Sequence, residues 1–255
     1  MRNSPSTHTN FLNIHLFEDG FSFCSSDESR FFSAEAFTLN ATDSWEEAWR
    51  QFGTYEPEDI QLILCNCSAV SVPAPHFDPQ LLETYLTTAV EKPLGGIPTF
   101  DDAQKSAQIS TFYVESAVVN PIKKIFPSLQ AKHLNSLLME YIEPLNRVQS
   151  QKRLYVHLRD GWVELILCHG GLLWLINRFP QDSAERFLYY LFYVVEQFEL
   201  KPDQFEIVFL GRFTAYTSYY EGALDYHKQV DWVEVNHNIS GLETHPAPFL
   251  ATKPL

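Results

Sequence analysis

The stretch KRLYVHLRDGWVELILCHGGLLWLINRFP, residues 152–180, reads as three strands joined by two tight turns. Asp160-Gly161 sits between apolar-rich runs, a strong hairpin signal, because a type I′ turn needs positive φ at both central residues. Gly170-Gly171 supplies the same freedom a second time. Leu154–Leu158, Trp162–Cys168 and Leu172–Arg178 are therefore expected to form an antiparallel meander. Leu165, Ile166 and Leu167 are consecutive, as are the apolar residues from Leu172 to Ile176. Such runs predict a sheet covered on both faces, as in α/β layers.

The next stretch, residues 183–199, predicts a helix. Pro180 ends the preceding strand, Asp182 is placed to cap, and Glu185 completes a capping box. Apolar side chains run all round it, which predicts a buried helix. It is too short and too flanked by charge to span a bilayer. Lys201-Pro202-Asp203 stops it, and Glu206 to Leu210 is another strand.

The same order of elements occurs earlier. Phe11–Phe17 is a strand, Glu18-Asp19-Gly20 a turn, Phe21–Ser26 a second strand and Phe31–Leu39 a third run. Asp43 to Gly53 then reads as a helix and Ile60–Leu64 as a buried strand. A duplicated strand–strand–strand–helix–strand unit is the expectation. Between the copies, Val70–Pro75 is extended and a helix opens at Asp78. Residues 91–98 read as loop, Ile109–Glu115 as a strand and Gln130–Tyr141 as a helix. The expected division is a disordered lead-in at 1–10, a first lobe at 11–148, a second at 149–242 and a loose tail at 243–255.

With 255 residues, 45% apolar and 15% aromatic, the chain can bury a large core. A net charge of −14 argues against phosphate-driven nucleic-acid binding and against an anionic-membrane anchor. The polar start, without an apolar leader, and the four scattered cysteines make cytoplasmic residence the expectation.

The duplicated unit with glycine turns resembles the actin-like superfamily of duplicated ribonuclease H-like lobes. More narrowly, IHLFEDGFSF (14–23) and the run from Gly170 to Phe213 resemble a family of Bacteroidota proteins carrying domain of unknown function 3822. The resemblance implies a two-lobed α/β architecture of two β-β-β-α-β-α units, with mixed sheets and helices on both faces. In active superfamily members each first hairpin is a phosphate loop whose Asp-x-Gly turn holds Mg²⁺, and a Gly-Gly meets the adenosine. Carried over by the turn glycines, the cleft positions here are Asp19, Gly20, Arg159, Asp160, Gly161 and Gly211. The metal-side positions become Glu18 and Arg159, followed by the bulky Phe21 and Trp162, and Gly211 stands alone before Arg212. An arginine repels a metal ion, and large rings obstruct amide groups meant for phosphate.

Other candidate sites read blandly. Cys65-x-Cys67 lacks a second ligand pair at metal spacing and reads as buried thiols. His227, His237 and His245 read as solvated surface, and His157 as a histidine satisfied within its sheet. Asp101-Asp102 reads as a helix cap or solvated loop, and no nucleophile elbow, Walker or Rossmann pattern occurs. Tyr216, Tyr219 and Tyr220 divide evenly between partner surface and core. The expectation is a non-catalytic actin-like binding or assembly module with no catalytic residue, cofactor or metal. Its partner would be a protein or a second copy, with no nucleic acid or membrane. The alternative is a divergent nucleotide-dependent ATPase or phosphotransferase using Asp19 and Asp160, and a third is a metabolite-binding pocket without turnover.

Overall fold

The computed structural model describes residues 11–53, 56–101, 107–147, 151–211, 216–233 and 239–251. The first unit contains β1 (Phe11–Leu16), β2 (Gly20–Cys24), β3 (Ser29–Ser33), α1 (Thr42–Phe52) and β4 (Asp59–Leu64). An insertion follows: β5 (Ala69–Pro73), α2 (Leu82–Thr87), β6 (Gly96–Phe100) and β7 (Gln108–Glu115), whose strands form a separate sheet ordered β5-β7-β6. Then come α3 (Ser116–Ile125), β8 (Gln130–His133) and α4 (Leu134–Asn146). The second unit contains β9 (Lys152–Arg159), β10 (Trp162–His169), β11 (Leu172–Pro180), α5 (Ala184–Gln197), β12 (Phe205–Leu210), α6 (Thr217–Tyr226) and β13 (Val230–Val233). A final short helix, α7, covers Pro248–Ala251.

The two main sheets share one topology: β3-β2-β1-β4-β8 and β11-β10-β9-β12-β13. In each, the first three strands are antiparallel, the fourth joins the first in parallel, and the fifth joins the fourth in parallel. The expected duplicated, two-lobed fold is therefore present. Side-chain alternation sorts each sheet into two faces. Leu12, Ile14 and Leu16, with Phe21 and Phe23, join Trp45 of α1 and Ile122 of α3 in an outer core. Leu154, Val156, Leu158, Leu165 and Phe209 pack with Phe187 and Leu191 of α5 in a second outer core. Between the sheets lies a shared layer where Ile63, Tyr155, Ile166 and Val208 meet Leu137 and Leu138 of α4 and Phe249 of α7.

Several local expectations change. The Asp160-Gly161 turn is not type I′: among the described residues only Gly161 of the pair has positive φ, at 74°. Asp160 instead donates its backbone N–H to the Pro246 carbonyl at 3.1 Å, which fixes the first peptide of the turn from outside. Gly170 and Gly171 both take positive φ, as a type I′ turn requires. Gly20 needs space rather than conformational freedom, since a Cβ there would lie 2.2 Å from the Phe32 carbonyl oxygen.

Helix α5 is capped by Ser183, whose hydroxyl accepts from the Arg186 N–H, rather than by Asp182. It is one-faced and not buried all round: Phe187, Leu191 and Val194 are buried while Tyr189 and Tyr193 are exposed. Gln130–His133 forms a strand, because it adds in parallel to β4, and α4 continues through Pro144 to Asn146. Gly96–Phe100, read as mostly loop, pairs with β7.

The tail expected to be loose is not loose where it is described. Ala247, Phe249 and Leu250 are all buried in the layer between the sheets. Truncating a core phenylalanine costs about 3–5 kcal/mol. Phe249→Ala should therefore lower the unfolding free energy by that amount in urea denaturation, whereas a loose tail would give no change.

Candidate functional site

The alternation that fills the outer cores with apolar residues turns the polar ones into the layer between the lobes. On β1, Asn13 and His15 face inward; on β2, Ser22 and Cys24 do; on β9 and β10, His157, Arg159 and Glu164 do, and all are buried. Cross-strand register shows that the two hairpins match. His15 faces Ser22 one pair inside Leu16–Phe21, and His157 faces Glu164 one pair inside Leu158–Val163. Structural equivalence thus pairs His15 with His157, Phe17 with Arg159, Glu18 with Asp160 and Gly20 with Trp162. Alignment on the turn glycines is one residue out of step, and it sets Glu18 against Arg159 where the fold sets it against Asp160.

An ionic network crosses between the hairpins. Arg159 Nε donates to Glu164 Oε1 at 2.9 Å, and His157 Nδ1 donates to Glu164 Oε2 at 2.7 Å. The Arg159 Nη2 donates to the Cys65 carbonyl of the first lobe at 3.0 Å. Glu18 approaches Arg159 at 3.5 Å and Arg178 at 3.1 Å. Arg178 also lies 4.1 Å above the Trp162 ring, a cation–π contact. Burial alone would raise the Glu164 carboxyl, but the Arg159 charge and the two hydrogen bonds hold it down at about 2. Burial likewise opposes the Arg159 charge, and Glu164, Cys65 and Glu18 outweigh it and hold the guanidinium protonated. Glu18 is 38% exposed, so its bridges are screened and worth roughly 0–1 kcal/mol, whereas Arg159–Glu164 is a buried pair.

The tail covers this layer from the first lobe's side. His245 Nδ1 accepts from the Ala247 N–H at 3.0 Å, so in the neutral ring Nε2 carries the proton and donates to Ser22 Oγ at 2.7 Å. The Ser22 hydroxyl lies 3.3 Å from His15 Nδ1 and 3.8 Å from Cys24 Sγ. His15, Cys24 and His245 bring their ligand atoms within 4.8 Å of one another. A metal would need a lone pair on His245 Nε2, where the Ala247 amide has placed the proton, and the Ser22 hydroxyl contacts all three ligand atoms. Burial pushes the Cys24 thiol up to about 12. The donor set fits a hydrogen-bonded cluster rather than a metal centre. Among the described residues Nε2 of His157 meets no partner at hydrogen-bond geometry; the His15 ring lies 5.0 Å from His245 and the His157 ring 5.8 Å from Phe249.

Of the residues the sequence singled out, Asp19 and Asp160 are near enough that Asp19, after burial, raises the Asp160 carboxyl. Gly161 forms the turn, and Gly211 is buried, where an added Cβ would lie 3.8 Å from Phe249. Arg159 is engaged in the buried pair. Phe21 does not reach the cleft; it points into the outer core, 3.8 Å from the Trp45 ring. His227 and His245 are buried rather than solvated, and His237 lies outside the described residues. Asp101 is neither the cap of α4 nor solvated: His133 caps the helix, its Nδ1 accepting from the Asn135 N–H at 3.0 Å, and the buried Asp101 carboxylate accepts from the His133 N–H at 2.8 Å, while Asp102 lies outside the described residues. Cys65 is buried and Cys67 half-buried, both free. Tyr216 and Tyr219 pack on the second outer core, with Tyr219 Oη donating to Gln181 at 2.6 Å. A cavity of 360 Å³ between the insertion and the second lobe is lined by Cys67, His133, Asn135, Trp162 and Arg178. Sequence reading missed Glu164, although a carboxylate inside the apolar run VELILC signals a buried charge. Arg178 and the inward role of His15 carried no local signal.

Two five-stranded sheets of one topology, facing each other across a shared helical layer, define the actin-like class of two-lobed α/β proteins. The chain belongs to the family described as protein of unknown function (DUF3822), whose model matches residues 3–230. It is similar to a Bacteroides thetaiotaomicron VPI-5482 protein with actin-like ATPase fold and unknown function, with a TM-score of 0.74 and 20% identity over 91% of this chain and 94% of that one. It is also similar to the PilM-PilN type IV pilus biogenesis complex, with a TM-score of 0.60 and 11% identity over 96% of each chain. At these identities the likeness concerns the fold. No curated protein matches the chain by sequence.

Glu164→Gln should cost about 3–5 kcal/mol, because it leaves the buried Arg159 charge uncompensated; urea denaturation at neutral pH measures this. Acid should destabilise the protein from the histidine range downward. Burial lowers His133 to about 4 and His245 to about 3, and lowers His15 well below its ordinary 6.5. Below pH 6.5 the unfolded chain takes up these protons and the folded chain does not, so stability falls as pH falls. His133 and His245 each remove roughly 2 kcal/mol at pH 5. Asp101, raised to about 6 by burial, works the other way and returns roughly 1 kcal/mol over the same range. Denaturation at pH 7 and pH 5 should therefore differ by at least about 2 kcal/mol, in favour of pH 7.

Proposed function

We propose that this chain is a non-catalytic actin-like binding or assembly module. One observation carries the proposal: the space between the two hairpin turns is bridged by Glu18, Arg159 and Arg178 and covered by the chain's own residues 245–250. In the active class that space receives a metal-bound triphosphate. Here the donors of Arg159 are committed to Glu164 and the Cys65 carbonyl. Admitting a nucleotide would mean expelling Phe249 and Leu250 from apolar surroundings, at roughly 1.5–3 kcal/mol for each side chain. The PilM-PilN complex supports a partner-binding reading, since there a protein of similar fold is found in a type IV pilus biogenesis complex. Cytoplasmic residence is part of the proposal. All four cysteines are free, and among the described residues no helix is long and apolar enough to cross a membrane.

One observation favours the rival phosphotransferase or ATPase. Asp19 and Asp160 stand on facing turns with mutually unfavourable charges, which a divalent cation would relieve. Titration calorimetry with millimolar Mg-ATP and Mg-ADP separates the two. No saturable heat is expected; micromolar binding that disappears in Asp160→Ala would establish the rival.

A further inference from the structure

A group of exposed tyrosines lies on α5 and α6, on the opposite side of the second lobe from the cleft. On α5, Tyr189 is 66% and Tyr193 45% exposed, and on α6 Tyr226 is 71% exposed. With Leu188 and Phe192 they line an open groove of 570 Å³. Its construction is specific. Gly222 lets the two helices approach closely: a Cβ there would lie 3.1 Å from Leu188 Cδ1. That approach sets Tyr226 5.4 Å from Phe192, while Tyr189 and Tyr193 stack in parallel one turn apart. These three exposed tyrosines share one groove rather than being scattered singly over the surface.

The charged residues that line the groove are both acidic. Glu185 and Glu196 line it, and on the same helix they lie about 16 Å apart at the α-helical rise. Glu221 and Asp225 are exposed on α6. The nearby Arg186 is committed to Asp182 at 2.9 Å. A second copy of the chain would bring the same acidic rim against itself, and an anionic membrane or nucleic acid would be repelled. Aromatic faces beside carboxylates favour lysine and arginine with apolar neighbours.

We propose that the α5–α6 groove docks a basic amphipathic segment of a protein partner, its apolar side chains on Tyr189, Phe192 and Tyr226 and its cations at Glu185 and Glu196. This deepens the binding-module reading and rests on it, yet the calorimetry above reads the cleft and the present test reads the outer face, so each can fail alone.

The probe is a fluorescein-labelled 18-residue helical peptide of leucine and lysine, with a leucine–glutamate peptide of the same pattern as control. Fluorescence anisotropy should show saturable binding of the lysine peptide only, weakening with added salt. Tyr189→Ala/Tyr226→Ala and, separately, Glu185→Lys/Glu196→Lys should each weaken it at least tenfold while circular dichroism stays unchanged. These side chains are exposed, so the variants are expected to fold; if either loses its helical signal, Tyr189→Ser alone supplies the comparison. Absent binding, or binding that the variants leave unaltered, overturns the proposal. So does a concentration-dependent dimer in sedimentation that Tyr189→Ala dissolves, which would make a second copy the occupant.

Discussion

The buried Arg159–Glu164 pair is the constraint on which the interlobe layer depends. Both side chains are 1% exposed, so each would be very costly to bury alone. Their separation of 2.9 Å returns part of that cost, and the rest comes from neighbours: His157 on the second carboxylate oxygen, and the Cys65 carbonyl on the guanidinium. The carbonyl belongs to the other lobe. The charge balance of the second lobe is therefore complete only when the first is docked in this orientation, and the pair fixes how the two sheets face each other.

The outer cores impose no such constraint. Phe21, Phe23, Phe32 and Trp45 pack ring against ring, and any arrangement that filled the same volume with apolar atoms would serve nearly as well. Specificity resides in the middle layer, where each polar group needs one particular partner. The tail supplies several of them: His245 for Ser22, the Pro246 carbonyl for the Asp160 amide, and Phe249 as cover for His157. Residues 245–250 thus act as a structural element of the cleft, although none of them belongs to either sheet.

How much of this could be read from the chain depends on the range of the interaction. The duplicated units were legible because their signals are local: Asp-Gly and Gly-Gly turns, and strands alternating over a few residues. Glu164 was legible in principle, as a charge inside an apolar strand. The placement of the tail was not, because a run such as HPAPFL carries the prolines of a loop, and only tertiary packing assigns Phe249 and Leu250 to the interior. Helix α5 misled for a related reason. Tyrosine counts as apolar in composition, yet it can stand in solvent, so a helix reading apolar all round buries one face only. Gly20 and Gly161 misled because one residue type answers two needs, a close backbone approach in the first hairpin and positive φ in the second.

The two hairpins also show how a common framework comes to serve different ends. Each carries an inward histidine at the same register, but the opposing residue differs, Ser22 in one and Glu164 in the other. A hydroxyl can both donate and accept, so Ser22 of the first hairpin is served by neutral groups, including a histidine from the tail. A carboxylate only accepts, so the second must recruit donors, and the Arg159 guanidinium and His157 Nδ1 answer it. With its donors on Glu164 and the Cys65 carbonyl, Arg159 is already engaged within the protein. The bridging of the two hairpins thus traces to one acidic residue on β10, whose partners come from β9 and, through the Cys65 carbonyl on Arg159, from the other lobe.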